Sequence, residues 1–206
     1  MRYRTDITGI ILAGGKSERM GKDKALLTVD GETFLTRIAR TMRSVFNQVY
    51  IISSNGRYRF LNLPVFDDFY RGCGPLAGIH SGLLRSSTWA SFMIACDIPF
   101  VSPDLIEYIV EYESRADVKV TSTEGKLHPL CGLYLRRCLP TVEQNLRTRS
   151  LRVQDLFARL HTAVIPIGPQ LPFYRKDLFL NVNEQKDYQI TLHSSASVVA
   201  RRYGAL

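Results

Sequence analysis

Short apolar runs alternate along the chain with segments whose apolar positions recur every three or four residues, and this alternation predicts an α/β protein. Ile7, Ile10, Ile11, Leu12 and Ala13 form the first run, a buried strand that ends in glycines. Residues 26–29 read as a short extended piece and Asp30-Gly31 as a turn. Thr33 is the N-cap of a helix on which Leu35, Ile38, Ala39, Met42 and Val45 share one face. Strands are predicted at residues 49–52 and 65–66, then a helix opened by Pro75 and an apolar central strand at 90–96. Ser102 caps a helix reaching Tyr112, with Asp104 as its first-turn anion. Residues 118–122 and 128–134 alternate as a hairpin around Glu124-Gly125-Lys126. A helix over 139–147 follows, then an amphipathic helix carrying Leu151, Val153, Leu156, Phe157 and Leu160. The pattern closes with strands at 162–167 and 179–183, Asn183 capping a last helix from Glu184.

With 206 residues and neither repeats nor a linker, one domain over 1–206 is expected, large enough to cover a sheet on both faces. Residues 193–206 are a flexible or helical tail in this scheme. The net charge of +8 invites a nucleic-acid partner, but the basic residues are dispersed and densest in one glycine loop, so none is expected. No signal peptide opens the chain, and no apolar run approaches the roughly 20 residues of a membrane span; a cytoplasmic protein without membrane contact is expected. Cys73, Cys96, Cys131 and Cys138 show no C-x-x-C pairing, which argues against a zinc site or disulfide framework.

The candidate chemistry begins at residues 10–24, I-I-L-A-G-G-K-S-E-R-M-G-K-D-K. Gly14 and Gly15 let the backbone approach a ligand, while Lys16, Ser17, Arg19, Lys22 and Lys24 suit a polyphosphate. Neither the P-loop nor the G-x-G-x-x-G spacing is met. Asp97 follows the central strand, where a carboxylate is costly unless paired, hydrogen-bonded or bound to a cation. Read alone, it is a cap, a turn residue or a ligand to Mg²⁺.

L-A-G-G-x-S-x-R-M-G-x-D-K resembles the signature of nucleotidyltransferases that activate a phosphorylated acceptor, and among them the molybdenum cofactor guanylyltransferases. Gly15 in place of a second alanine, and Asp23-Lys24 in place of Pro-Lys, point to that branch rather than to the sugar-phosphate enzymes. G-P-L-A-G at 74–78 and F-x-N-V-N at 179–183 are two further hallmarks. The resemblance implies a single-domain, Rossmann-like nucleotidyltransferase fold with a mostly parallel sheet and helices on both faces. It also implies transfer of GMP from GTP to the terminal phosphate of molybdenum-molybdopterin, with release of pyrophosphate.

By the same resemblance Arg19, Lys24 and Asp97 are catalytic, and Asp97 holds Mg²⁺. Leu12, Ala13, Gly14, Gly15, Asn55, Asp68, Gly74, Pro75, Leu76, Asn181 and Asn183 shape the nucleotide pocket. Ser53 is an alternative to Asn55, and Asp67 to Asp68. His128 is either on the acceptor side or a loop histidine, and Arg147, Arg149 and Arg152 are either an acceptor contact or a solvated edge. The partners implied are GTP, molybdenum-molybdopterin, and transiently other proteins of cofactor biosynthesis or acceptor enzymes. A cytidylyl- or sugar-phosphate nucleotidyltransferase and a non-catalytic GTP-binding protein remain alternatives; the failed glycine fingerprint disfavours an NAD(P) oxidoreductase.

Overall fold

Buried backbone groups must be paired, and the way the apolar runs meet this demand sets the architecture. The computed structural model describes residues 4–14, 23–54 and 56–181. β1 (Arg4–Leu12) is followed by a small hairpin of β2 (Thr28–Val29) and β3 (Glu32–Thr33), whose turn residues Asp30 and Gly31 have φ of 53° and 76°. Both signs are those a two-residue hairpin turn needs. α1 (Phe34–Val45) starts at Thr33, whose Oγ1 accepts from the Thr36 N–H at 3.1 Å, and passes directly into β4 (Phe46–Ile52). β5 (Val65–Phe66), α2 (Pro75–Arg85), β6 (Ala90–Ala95) and α3 (Pro103–Glu111) follow. The hairpin β7 (Val118–Thr123) and β8 (Lys126–Leu135) precedes α4 (Leu139–Arg147) and β9 (Thr162–Pro166).

Seven of these strands form one sheet in the order β5-β4-β1-β6-β8-β7-β9. Only β8 runs against its neighbours, so the sheet is mostly parallel. Consecutive residues of β1 point to opposite faces: a Cβ on Gly9 would lie 2.8 Å from Met42 of α1, whereas the Ile10 side chain reaches Gly82 of α2. Helices therefore cover both faces. This double cover explains why Ile7, Ile10, Ile11, Phe92, Met93 and Ile94 are all buried, without the polar alternation of a one-sided sheet.

Two predicted elements differ. The segment after α4 is a 3-10 helix over Val153–Ala158 rather than a longer amphipathic helix. Only Val153 and Leu156 are buried in it, and a three-residue repeat places that pair on one side without a fourth-residue stripe. The predicted strand at 179–183 is not formed over 179–181. Its backbone is paired locally instead, Leu178 N–H to Arg175 O at 3.1 Å and Leu180 N–H to Asp177 O at 2.9 Å. Residues 182–183, the helix from Glu184 and the tail at 193–206 lie outside the described residues.

One irregularity was invisible in the pattern. β8 pairs Gly132 with Val120 but His128 with Thr121, so Pro129, Leu130 and Cys131 have no partner on β7. The bulge is held by Tyr134 Oη donating to Pro129 O at 2.6 Å and Thr121 Oγ1 to Cys131 O at 3.3 Å. At its root a Cβ on Gly132 would stand 2.2 Å from the Lys119 carbonyl oxygen. Gly132→Ala is therefore expected to cost about 3 kcal/mol or more in urea unfolding, since backbone and not a yielding side chain must move; an unchanged midpoint would contradict this packing.

Candidate active site

The chain leaves β1 through α1 to reach β4 on one side, then returns through α2 to β6 on the other, so β1 and β6 flank the point where strand order reverses. Open α/β sheets bind ligands beyond the strand ends at such a point. Here a cleft of about 180 Å³ opens between residues 12–14 after β1 and residues 95–97 after β6, closed by Asp23, Lys24, Pro75 and Leu130. Three hydrogen bonds align its floor: Ala13 N–H to Ile52 O (3.0 Å), Cys96 N–H to Leu12 O (3.1 Å) and Ser53 Oγ to Ala13 O (3.0 Å).

Lys24 opens a short 3-10 helix (Lys24–Leu26). Asp23 caps it, with Oδ1 accepting from the Ala25 N–H at 3.1 Å. Gly15 and Arg19, with Lys16, Ser17 and Lys22, lie outside the described residues, as do Asn55 and Asn183. Lys24 and Asp97, from motifs far apart in sequence, line the same cleft. Asp97 Oδ1 is buried with no hydrogen-bond partner among the described residues. Burial pushes its carboxyl above the ordinary range, and the Lys24 ammonium, a backbone hydrogen bond and the Asn181 side chain work in the opposite direction. A carboxylate so placed needs a cation or a donor.

On the opposite flank Leu12 and Ala13 are buried, and the Leu12 side chain packs against Gly78 of α2. Asp68 points inward, Oδ2 lying 3.4 Å from where a Gly14 Cβ would be, whereas exposed Asp67 pairs with Arg71 at 3.2 Å. Asp68 Oδ1 is buried and unpartnered among the described residues, and burial first, then the Asp67 charge, raises its pKa. Gly74 has φ 65° and Pro75 is the first residue of α2. The Leu76 side chain is fully buried, so only its backbone is presented at the helix N-terminus. Ser53 is buried and spends its hydroxyl on the Ala13 carbonyl.

Because β8 is antiparallel, its first residues reach the same edge of the sheet. His128 stacks on Phe179 at 4.1 Å between ring centres and 15° between planes, which brings the 179–181 segment to Asp97. Nothing in the spacing announces this stack, because both partners are irregular turn or bulge residues. Arg149 and Arg152 line a second cavity of about 620 Å³ that shares Pro75 with the cleft. Arg147 is drawn instead to Glu143 on its own helix, at 2.6 Å.

Burial and, secondarily, the Lys126 charge push His128 down to about 4. A histidine whose folded pKa is depressed contributes stability that is full above its unfolded pKa near 6.5 and lost as pH falls towards 4. Wild type should therefore lose more unfolding free energy than His128→Gln between pH 7 and pH 4 in urea titrations. Parallel pH curves would show that the imidazole is solvated.

Comparison with known proteins accords with this geometry. A match to the MobA-like NTP transferase domain covers residues 9–163. The chain is 34% identical over 186 residues to a probable molybdenum cofactor guanylyltransferase of Carboxydothermus hydrogenoformans, covering 89% of this chain and 94% of that one. It is 32% identical over 188 residues to a molybdenum cofactor guanylyltransferase of Desulfosudis oleivorans, covering 89% and 93%. Among solved structures, molybdopterin-guanine dinucleotide biosynthesis protein A of Archaeoglobus fulgidus superposes with a TM-score of 0.80 at 18% identity, over 92% of this chain and 99% of that one, a likeness of fold. With three quarters of its length matched, and with the ends of β1 and β6, Lys24 and the first residue of α2 lining one cleft, the chain belongs to the MobA-like NTP transferase family.

Proposed function

We propose that the protein transfers GMP from GTP to the terminal phosphate of molybdenum-molybdopterin, giving the guanine dinucleotide cofactor and pyrophosphate. The observation that carries this is the convergence of Lys24 and Asp97 on one cleft at the switch point, in a chain whose full-length relatives bear that enzyme's name. An oxygen of the acceptor phosphate attacks the α-phosphorus in line, and the bond to the pyrophosphate oxygen breaks. The acceptor oxygen is already ionised, so the protein has only to position reactants and neutralise charge. Lys24 and the backbone at Gly14 hold the triphosphate, with Gly15 and Arg19 in the same loop. Pro75, the first residue of α2, lines the cleft and contributes shape but no N–H.

The residues present fit Mg²⁺, because Asp97 offers a buried, unpartnered carboxylate oxygen beside a phosphate cleft. Among the described residues no group of three or more His, Cys, Asp and Glu surrounds it, which is the donor set expected where substrate phosphates and water complete the shell. When bound, the ion supplies charge stabilisation at the phosphates. The Asn181 side chain, by hydrogen bonding to Asp97, favours its ionised form.

Guanine is favoured by Asp68. An ionised carboxylate only accepts hydrogen bonds, and guanine alone among the four bases presents two adjacent donors, N1–H and N2–H, on one edge. With Oδ2 facing Gly14 and Oδ1 buried near Gly78, Asp68 would offer that pair two acceptor oxygens at the end of β1. Arg149 and Arg152, on the cavity continuing past Pro75, suit the anionic acceptor. Other biosynthetic proteins or acceptor enzymes would be met transiently, when cofactor is handed on.

The direct test is pyrophosphate release from each nucleoside triphosphate with and without molybdenum-loaded molybdopterin; GTP with acceptor should be the productive pair. Lys24→Ala should weaken GTP binding by about 1.5–3 kcal/mol in calorimetry and leave the melting temperature unchanged. Asp97→Asn keeps the shape of the side chain but removes its charge, so turnover should fall about two orders of magnitude or more. The ligand-free melting temperature of that variant should hold or rise, because a carboxylate that is costly to bury is gone; near-normal turnover would make Asp97 structural.

A further inference from the structure

The Asp23 carboxylate lines the same cleft as Asp97 and Lys24, where a mobile negative charge would oppose a polyphosphate. It is anchored from outside the loop. Tyr58 is 2% exposed, and its Oη lies 2.8 Å from both Asp23 oxygens, while the Arg57 guanidinium reaches Oδ2 at 3.4 Å. Two equal distances place the phenol oxygen symmetrically over the carboxylate, where it holds one rotation of the side chain. In that rotation Oδ1 accepts from the Ala25 N–H and caps the turn that begins with Lys24. Tyr58 and Arg57 belong to the 3-10 helix Gly56–Leu61 between β4 and β5, which follows directly on the strand end at Ser53.

We infer that Tyr58 is a positioning residue for nucleotide binding: its hydroxyl locks Asp23 as the cap that presents Lys24 to the phosphates, tying the phosphate loop to the base-side connection. The inference rests on the proposed reading of the cleft as a nucleoside triphosphate site. Tyr58 touches no reacting atom and acts through Asp23. A hydroxyl on a carboxylate is a charge-assisted bond in a partly buried place, strong enough to hold one rotamer. Without it the carboxylate turns, the cap loosens, and Lys24 loses the backbone that aims it.

Tyr58→Phe removes the hydroxyl and keeps the buried ring, so the fold should survive with a melting temperature close to wild type. GTP affinity in calorimetry, without acceptor, should fall about tenfold. In turnover assays the KM for GTP should rise by a similar factor, while the KM for the acceptor and kcat stay within about threefold. A generally loosened fold would move both KM values and the melting temperature together. In an Asp23→Ala background the same substitution should change GTP affinity less than about twofold, because its partner is gone. Equal affinity of Tyr58→Phe and wild type for GTP, or an undiminished effect in the Asp23→Ala background, would overturn the role while leaving the proposed activity intact. A wild-type protein that binds no nucleoside triphosphate would overturn both.

Discussion

The alignment of three parallel strand ends is the constraint on which the rest depends. Cys96 N–H bonds Leu12 O, Ala13 N–H bonds Ile52 O, and the Ser53 hydroxyl closes on Ala13 O, so β1, β4 and β6 stop in one line. Ala13, Gly14, Cys96 and Asp97 of the cleft are then only one or two residues beyond the buried ends of β1 and β6. Sites carried on such elements keep their geometry better than sites carried on loops alone. The cost is local: among the described residues Asp97 and Asp68 each hold a buried carboxylate oxygen without a donor, a strain tolerated where a ligand completes the set.

Close approach of elements makes that line possible. Gly82 brings α2 onto Ile10 and Met93, where a Cβ would meet Ile10 at 2.9 Å, and Gly78 does the same for Leu12 at 3.0 Å. The helix whose first residue, Pro75, lines the cleft is thus pressed against the two central strands. On the far face Lys119 donates to Val110 O and Tyr112 O at 3.0 and 2.6 Å, capping α3 from a buried position, and burial lowers its pKa. The first feature builds the site, and the second stabilises the support behind it.

Most of the framework was legible because its signals are local and redundant. Thr33 and Ser102 cap helices, Pro75 starts one, Asp30-Gly31 and Glu124-Gly125 turn hairpins, and apolar runs bury both faces of a sheet. The misreadings fall where tertiary contacts override such signals. F-x-N-V-N has the look of a strand, yet over its described part, 179–181, no strand forms: Phe179 is claimed by the His128 ring, and Leu180 N–H bonds Asp177 O in a turn. Leu151 and Phe157 fit an α-helical face but are only half-buried, and the segment winds as a short 3-10 helix instead. The Tyr58–Asp23 bond spans 35 residues between two irregular segments, and no spacing rule reaches that far.

The reversed direction of β8 has a consequence for how such an enzyme could change. Its hairpin turn at Glu124-Gly125 stands at the ligand edge and joins neighbours without a helical crossover. Added residues there would extend one wall of the site into solvent, at a closure cost that grows only slowly with length, and no strand would shift its register. β1, α2 and β6 have no comparable freedom, since an insertion within either buried strand or within the helix pressed against them would break their packing. The fold thus joins a rigid platform of strand ends to a hairpin that can lengthen without disturbing it, an arrangement in which one wall of the cleft can be remodelled while its floor stays where it is.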